Sequence, residues 1–287
     1  MVDAYRNITN QLPNMSKSQR KIAKYVLSNT DAVPFFTVGK LATMAGVSEA
    51  TVVRFAYFLG YNGYTEFQQA MQDAIKRQLT MVERLKLSDD VYDKEEQAVY
   101  EIFNEDIGRI QMLKEQIDVT AFYDAVNMIS HARRIYIIAN RSAVSLGTFL
   151  EFYLDLILEN TELIRNPHGI SEKLFRIDQD DVVIGLSFAR YTKNTVQALS
   201  FAKDRGTKVV AITDNMLSPL IPFANVYLCA KSDMPSFINS FVAPLSLINA
   251  LITAVGRSKR KEIEQHLENL EEIWKRFGIF SNEYVDE

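Results

Sequence analysis

VGKLATMAGVSEATVVRFAY, residues 38–57, is the stretch from which the front of this chain can be read. Gly46 stands where a tight turn between two helices needs a glycine, and Ala42, four residues earlier, is small where the helices would cross. Leu41, Ala45, Val47, Val52 and Phe55 fall at positions that bury the shared face of such a pair. Ser48, directly after the turn, is an N-cap for the second helix. The pattern is that of a helix-turn-helix. In that geometry the first turns of the second helix enter a DNA major groove, which places Ser48, Glu49, Ala50, Thr51 and Arg54 at base edges. Arg54 suits a bidentate contact to guanine and Glu49 can accept from cytosine. Thr37 and Lys40 on the first helix, with Lys17 upstream, are placed for phosphates, which position the protein without specifying sequence. The plain alternative is a helical hairpin with a solvated Arg54.

Charge agrees with a polyanion partner for this end. Residues 1–80 hold nine Lys/Arg against five Asp/Glu, a net +4 in a chain whose total is −4. The remainder holds 23 basic and 31 acidic residues, a net −8.

Outward from the opening stretch, residues 1–76 keep a helical pattern, with breaks at Pro13, Pro34, Gly46 and Gly60–Gly63. A polar segment over 77–104 is expected to be a partly helical linker. Within and beyond it, Val99, Ile102, Phe103, Ile107, Ile110 and Leu113 share one helix face. Asp118 and Thr120 look like caps for the next helix. In the second domain, 105–287, the period changes. RRIYIIAN (133–140), DDVVIGLSF (180–188), TKVVAIT (207–213) and ANVYLCA (224–230) are short β-branched runs without polar alternation, as in strands buried on both faces of a parallel sheet. Helical patterns over 142–159, 192–205 and 240–255 separate several of them. The fold class is therefore α + α/β in two domains. An all-α helix-turn-helix domain precedes a flavodoxin-like α/β domain with a parallel sheet and helices on both faces. The closing segment RKEIEQHLENLEEIWKRF carries an apolar stripe suited to covering its own domain or a second subunit.

Several classes are excluded or disfavoured. A single cysteine, Cys229, rules out an intramolecular disulfide. The longest apolar stretch, 241–256, is interrupted by Pro, Asn, Ser and Thr and is shorter than the ~20 residues of a membrane span. With no apolar signal core at the start, a cytoplasmic protein is expected.

LPNMSKSQRKIAKYVLSNTD and the stretch that follows it resemble the N-terminal domain of RpiR-family bacterial transcription regulators. The family's Gly-aromatic-x-Gly-aromatic-x-x-Phe sequel appears as Gly60-Tyr61-Asn62-Gly63-Tyr64-Thr65-Glu66-Phe67. The resemblance implies a C-terminal SIS (sugar isomerase) domain that senses a phosphorylated sugar or related metabolite.

SIS domains usually write their first phosphate loop Gly-x-Gly-x-Ser-x-x-x-Ala. Here Ala139, Arg141, Ala143 and Gly147 hold the matching places, so both glycines and the serine are absent. The second loop usually reads Ser-x-Ser-Gly-x-Thr; Ser187 and Thr192 match it, while Ala189 and Arg190 replace the second serine and the glycine. Only Ser187 and Thr192 carry the family's phosphate chemistry over, with Ser142, Ser145 and Thr195 as neighbours able to compensate. Arg141 and Arg190 add two guanidiniums suited to carboxylate or phosphate, and Tyr191 flanks them. Alternatively the arginines face water or pair with Asp214 or Glu151. The expected ligand is a small anionic metabolite, such as a phosphosugar.

An isomerase or lyase with an accessory helical domain is the second possibility. His168 with Glu172 is the one acid–base pair to consider, and no metal-ligand spacing or nucleophile elbow is present. The expectation is a regulator with no catalytic residue, metal or cofactor. Its partners would be a double-stranded DNA operator, the metabolite and further copies of itself, as a homodimer or homotetramer. A third possibility is a sheet domain that only dimerises.

Overall fold

The computed structural model describes residues 4–30, 32–76, 80–91, 95–165, 170–234 and 236–280. They form two compact units: Met1–Glu101 with Met234–Asn239, and Ile102–Asp233 with Ser240–Glu287.

The first unit is helical, with α1 (Ala4–Gln11), α2 (Lys17–Ser28), α3 (Val38–Ala45), α4 (Glu49–Phe58), α5 (Tyr64–Lys76) and α6 (Met81–Val91). Its helix starts are written locally. Ser16 and Gln19 form a reciprocal capping box on α2, Thr37 caps α3 through Lys40 N, and Ser48 caps α4 through Thr51 N. Gly46 ends α3 at φ 63°, a left-handed closure that a side chain at this position would strain. Phe55 and Phe67 are fully buried and meet edge-on at 5.7 Å. Tyr61 and Tyr64 pack on Phe67 at 5.4 and 6.4 Å, so the Gly60–Phe67 motif builds the core against α4.

α7 (Glu95–Gln116) is one continuous helix of 22 residues, and α6 precedes it, so the expected linker is largely helical. On α7, Phe103, Ile107 and Ile110 are exposed while Leu113 packs into the second unit's core.

The second unit follows with α8 (Val119–Ser130), β1 (Ile135–Ala139), α9 (Val144–Leu158), β2 (Thr161–Ile164), α10 (Ile170–Leu174), β3 (Val182–Leu186), α11 (Lys193–Asp204), β4 (Lys208–Thr213), β5 (Val226–Cys229), α12 (Val242–Ser258) and α13 (Arg260–Phe277). Asp118 caps α8 through Ala121 N, whereas Thr120 lies inside that helix. The sheet is parallel throughout, in the order β2-β1-β3-β4-β5. Its faces bury separate cores. Ile135, Ile137, Val182, Ile184 and Val210 pack under α8, α9 and α12 on one side, and Tyr136, Ile138, Val183, Val209 and Ala211 pack under α11 on the other. The four long β-branched runs are β1, β3, β4 and β5. β2 is a strand that composition does not announce: it is four residues long, pairs only with β1, and its Thr161 and Glu162 are half-exposed at the sheet edge. Along α13 only Ile263 is buried, and Ile273 and Phe277 are exposed.

Candidate DNA and anion sites

In the helix-turn-helix, Ser48, Glu49, Ala50 and Arg54 are exposed at the start and outer face of α4. The Ser48 and Thr51 hydroxyls lie 2.8 Å apart, and Arg54 Nη2 donates to Thr51 Oγ1 at 3.4 Å, so the cap and the guanidinium form one cluster. The Glu49 carboxylate lies back over α3, where a Cβ on Gly39 would come within 2.7 Å of its Oε1. Lys40 is exposed with its ammonium 4.5 Å from the Phe36 ring centroid, and Thr37 and Lys17 are exposed at the first turns of α3 and α2. The fold brings Thr37, Lys40, Ser48, Glu49, Thr51 and Arg54 onto two packed helices. Tyr57 is 57% exposed and shares a face with Ala50 and Arg54 at helical spacing. That spacing was the available signal for it.

The second site lies at the carboxyl edge of the sheet. β2 and β3 flank β1 on opposite sides, so the chain reverses its winding direction between β1 and β3, where open α/β sheets form a ligand crevice. Ala139 and Leu186 end these strands in register, which places the loops 140–143 and 187–192 side by side. Each loop opens a helix, α9 or α11, whose N-terminus has no side-chain cap. Helix N-termini of this kind favour an anion through their dipoles and unpaired N–H groups.

Asn140 joins the loops: its Nδ2 donates to Thr195 Oγ1 at 2.9 Å, and Thr195 and Thr192 hydroxyls are 2.7 Å apart. Ser187 Oγ accepts from Thr192 N at 3.4 Å, and Ser187 O accepts from Thr213 Oγ1 at 2.8 Å. Thr195 is fully buried and Ser187 nearly so. Thr195 therefore braces the two loops, while Thr192 is half-buried and Ser142 and Ser145 are exposed. Ser145 Oγ donates to Ser142 O at 2.8 Å.

Three non-glycine residues among those described have positive φ: Arg141 at 56°, Glu159 at 56° and Arg190 at 66°. Glu159 ends α9, where left-handed closure is common. The other two are the arginines standing where the family loops carry glycine. A left-handed backbone under a side chain costs about 1–2 kcal/mol of strain per residue, which glycine would avoid. Both side chains are exposed, and neither has a hydrogen bond or ion pair among the described residues. Glu151 and Asp214, the acids within the same region, are engaged elsewhere. Glu151 accepts from Leu163 N at 2.8 Å and pairs with Arg165 at 2.5 Å; Asp214 accepts from Tyr191 Oη at 2.7 Å.

The sequence offers Asp214 only as a partner for the arginines; its pairing with Tyr191, 23 positions away, comes from the fold alone. Burial raises its carboxyl above the usual range, against the opposing hydrogen bond from Tyr191, and burial with the nearby Asp214 charge raises the Tyr191 phenol. Since the folded state holds the Asp214 proton more tightly than the unfolded one, its contribution to stability is complete below the ordinary carboxylate range and is lost as pH rises through the folded value. Asp214→Asn keeps the neutral form at every pH. Its melting temperature should exceed that of the wild type at pH 7, and the difference should shrink to nothing as pH falls through the carboxylate range, as thermal unfolding at several pH values will show.

Burial also pushes the half-buried Cys229 thiol up to about 11, which keeps it protonated and a poor nucleophile. Glu172 is exposed on α10, and His168 lies outside the described residues. Among the described residues no group of three or more His, Cys, Asp or Glu is arranged to hold a metal ion.

Residues 3–78 match the model for the helix-turn-helix domain of the rpiR family, and residues 128–254 match the SIS domain. The chain belongs to the RpiR family of transcription regulators. An HTH-type transcriptional regulator of Caldanaerobacter subterraneus is 25% identical to this RpiR-family chain over 95% of its length and 97% of the relative's. The HTH-type transcriptional regulator HexR of Escherichia coli is 23% identical over 93% of both chains. Among solved structures, the sugar isomerase domain of an RpiR transcription factor from Sphaerobacter thermophilus covers 60% of the chain and 97% of itself, with a TM-score of 0.58 at 23% identity. The Vibrio vulnificus NanR protein complexed with ManNAc-6P covers 97% of the chain and all of itself, also at 0.58 and 23%. These two structures establish the shared fold. Among the described residues of this family member, no helix is long and apolar enough to cross a membrane.

Proposed function

We propose that this regulator controls genes of carbohydrate metabolism from the cytoplasm, binding a roughly palindromic double-stranded DNA operator in response to a small anionic metabolite such as a phosphosugar. The observation that carries the sensing half is the pair of unpartnered, left-handed arginines, Arg141 and Arg190, beside two uncapped helix N-termini. Ser142, Ser145, Ser187 and Thr192 complete the proposed contacts, with Thr195 bracing them through Asn140. That NanR was solved with ManNAc-6P supports a phosphosugar as the class. The site binds rather than turns over: its guanidiniums supply positive charge and its hydroxyls supply neutral hydrogen bonds, a set suited to holding an anion. In this reading residues 1–76 bind DNA, 77–104 connect, and 105–287 sense and oligomerise, although the compact units divide at Glu101/Ile102 and the helical one also takes in Met234–Asn239. Exposed Phe103, Ile107, Ile110, Ile273 and Phe277 support a homodimer or homotetramer, and a two-fold assembly matches a two-half-site operator.

DNA binding is tested on fragments of the promoter region next to the coding sequence, by fluorescence anisotropy at several salt concentrations. A specific complex is expected, which Arg54→Ala weakens by roughly 10- to 100-fold, the worth of one bidentate base contact. Uniform, weak and steeply salt-dependent binding to every fragment would remove the DNA half of the proposal.

A further inference from the structure

Between β5 and α12 the chain leaves one compact unit and comes back to it. Met234–Asn239 belong to the helical unit, while Asp233 before them and Ser240 after them belong to the sheet unit. The base of this excursion is closed and pinned. Ser240 N donates to Ser232 O at 2.9 Å, Ser240 Oγ donates to Asp106 Oδ1 at 2.5 Å, and Arg109 Nε donates to Asp233 O at 2.8 Å. Arg109 is itself fixed by Glu105 and Asp106 on its own helix. The tip is held by Arg84 of α6. Arg84 is 8% exposed, and its Nη2 donates to Ile238 O at 2.8 Å, Asn239 Oδ1 at 2.9 Å and Met234 O at 3.4 Å. The start of α6 is closed by a capping box, Thr80 N donating to Glu83 Oε2 and Glu83 N to Thr80 Oγ1.

A buried guanidinium is tolerated only while its hydrogen bonds are kept, so this six-residue segment cannot shift without α6 shifting or the bonds breaking. The base of the segment also reaches the anion site: Ala230 N donates to Thr213 O at 2.8 Å, and Thr213 precedes the Asp214 that Tyr191 holds. We propose that Arg84 is the coupling residue of this regulator. It makes the β5–α12 connection move with α6, so that a change at the carboxyl edge of the sheet is passed on through residues 230–240 to that helix. The proposal rests on the sensing role of that edge, but it can be tested with no effector present, so that its failure and the failure of the sensing role are distinguishable.

The test is hydrogen exchange on the full-length chain, followed by mass spectrometry. Tyr191→Phe removes the hydroxyl held between Asp214 and Asn215 and so perturbs the edge. In the wild-type background this change should alter exchange in 232–240 and in α6. In the Arg84→Met background, exchange in 232–240 should rise at least about tenfold, the equivalent of one lost charge-assisted bond. The effect of Tyr191→Phe on α6 should vanish there, while its effect at the end of β4 stays. Asn239→Ala, which removes a single acceptor, should give the same pattern at smaller amplitude in a protein that folds normally. An effect on α6 that survives both substitutions, or that never reaches α6 in the wild-type background, overturns the proposal.

Discussion

Replacing Arg141 and Arg190 together by glycine should make the ligand-free protein more stable and its anion binding at least ~100-fold weaker. The two effects have separate causes. Each arginine sits at positive φ, where a side chain costs about 1–2 kcal/mol and glycine costs nothing. Part of that gain is offset by glycine's greater freedom in the unfolded chain, leaving a few tenths to about 1 kcal/mol per site. The affinity loss follows from removing two charged donors, each worth roughly 1.5–3 kcal/mol when hydrogen-bonded. Alanine at both positions separates the causes, since it removes the charge and keeps the strain. The alanine pair should lose affinity without gaining stability. Calorimetric titration with a panel of phosphosugars and thermal unfolding without ligand are the measurements. Equal stability of the glycine and alanine pairs would show that the left-handed turns carry no strain.

Phe55→Ala should cost about 3–5 kcal/mol, enough to unfold the helical unit near physiological temperature. Phe55 is fully buried on α4, touches Phe67 edge-on, and lies among Leu41, Val52 and the Tyr61–Tyr64 pair. No neighbouring side chain in so compact a core can fill the vacated volume without losing its own contacts. The sheet unit buries two cores of its own. DNA binding should therefore disappear while amides in β1, β3 and β4 stay protected from exchange. Retained DNA affinity in this variant would mean that the core tolerates the cavity.

The helix-turn-helix was legible in the sequence because everything that defines it is local. Gly46 closes the turn, Ser48 caps the next helix, and Leu41, Val52 and Phe55 show the buried face by spacing alone. β1, β3, β4 and β5 were legible because strands buried on both faces read as unbroken β-branched runs. β2 was not: as a four-residue edge strand it buries only Leu163 and Ile164, and its polar half looks like a loop. In the candidate anion site, the residue types near the two loops could be named, but their division of labour could not. Thr195 became a brace once its partner Asn140, 55 positions away, was in place. The left-handed backbone under Arg141 and Arg190 is invisible in residue types, since arginine is not a residue that advertises positive φ. The Arg84 grip on Met234–Asn239 spans about 150 positions, and no periodicity encodes it.

An anion held by Arg141 and Arg190 should change how the protein binds DNA. The most direct measurement is the affinity of the full-length protein for its bound promoter fragment, with and without saturating phosphosugars. The same titration is then run on the Arg141→Ala/Arg190→Ala variant. At least one phosphosugar should shift the wild-type affinity fivefold or more, within the usual range of allosteric coupling, and should leave the double variant unmoved. An affinity indifferent to every phosphosugar, or a shift that persists unchanged in the double variant, would contradict it.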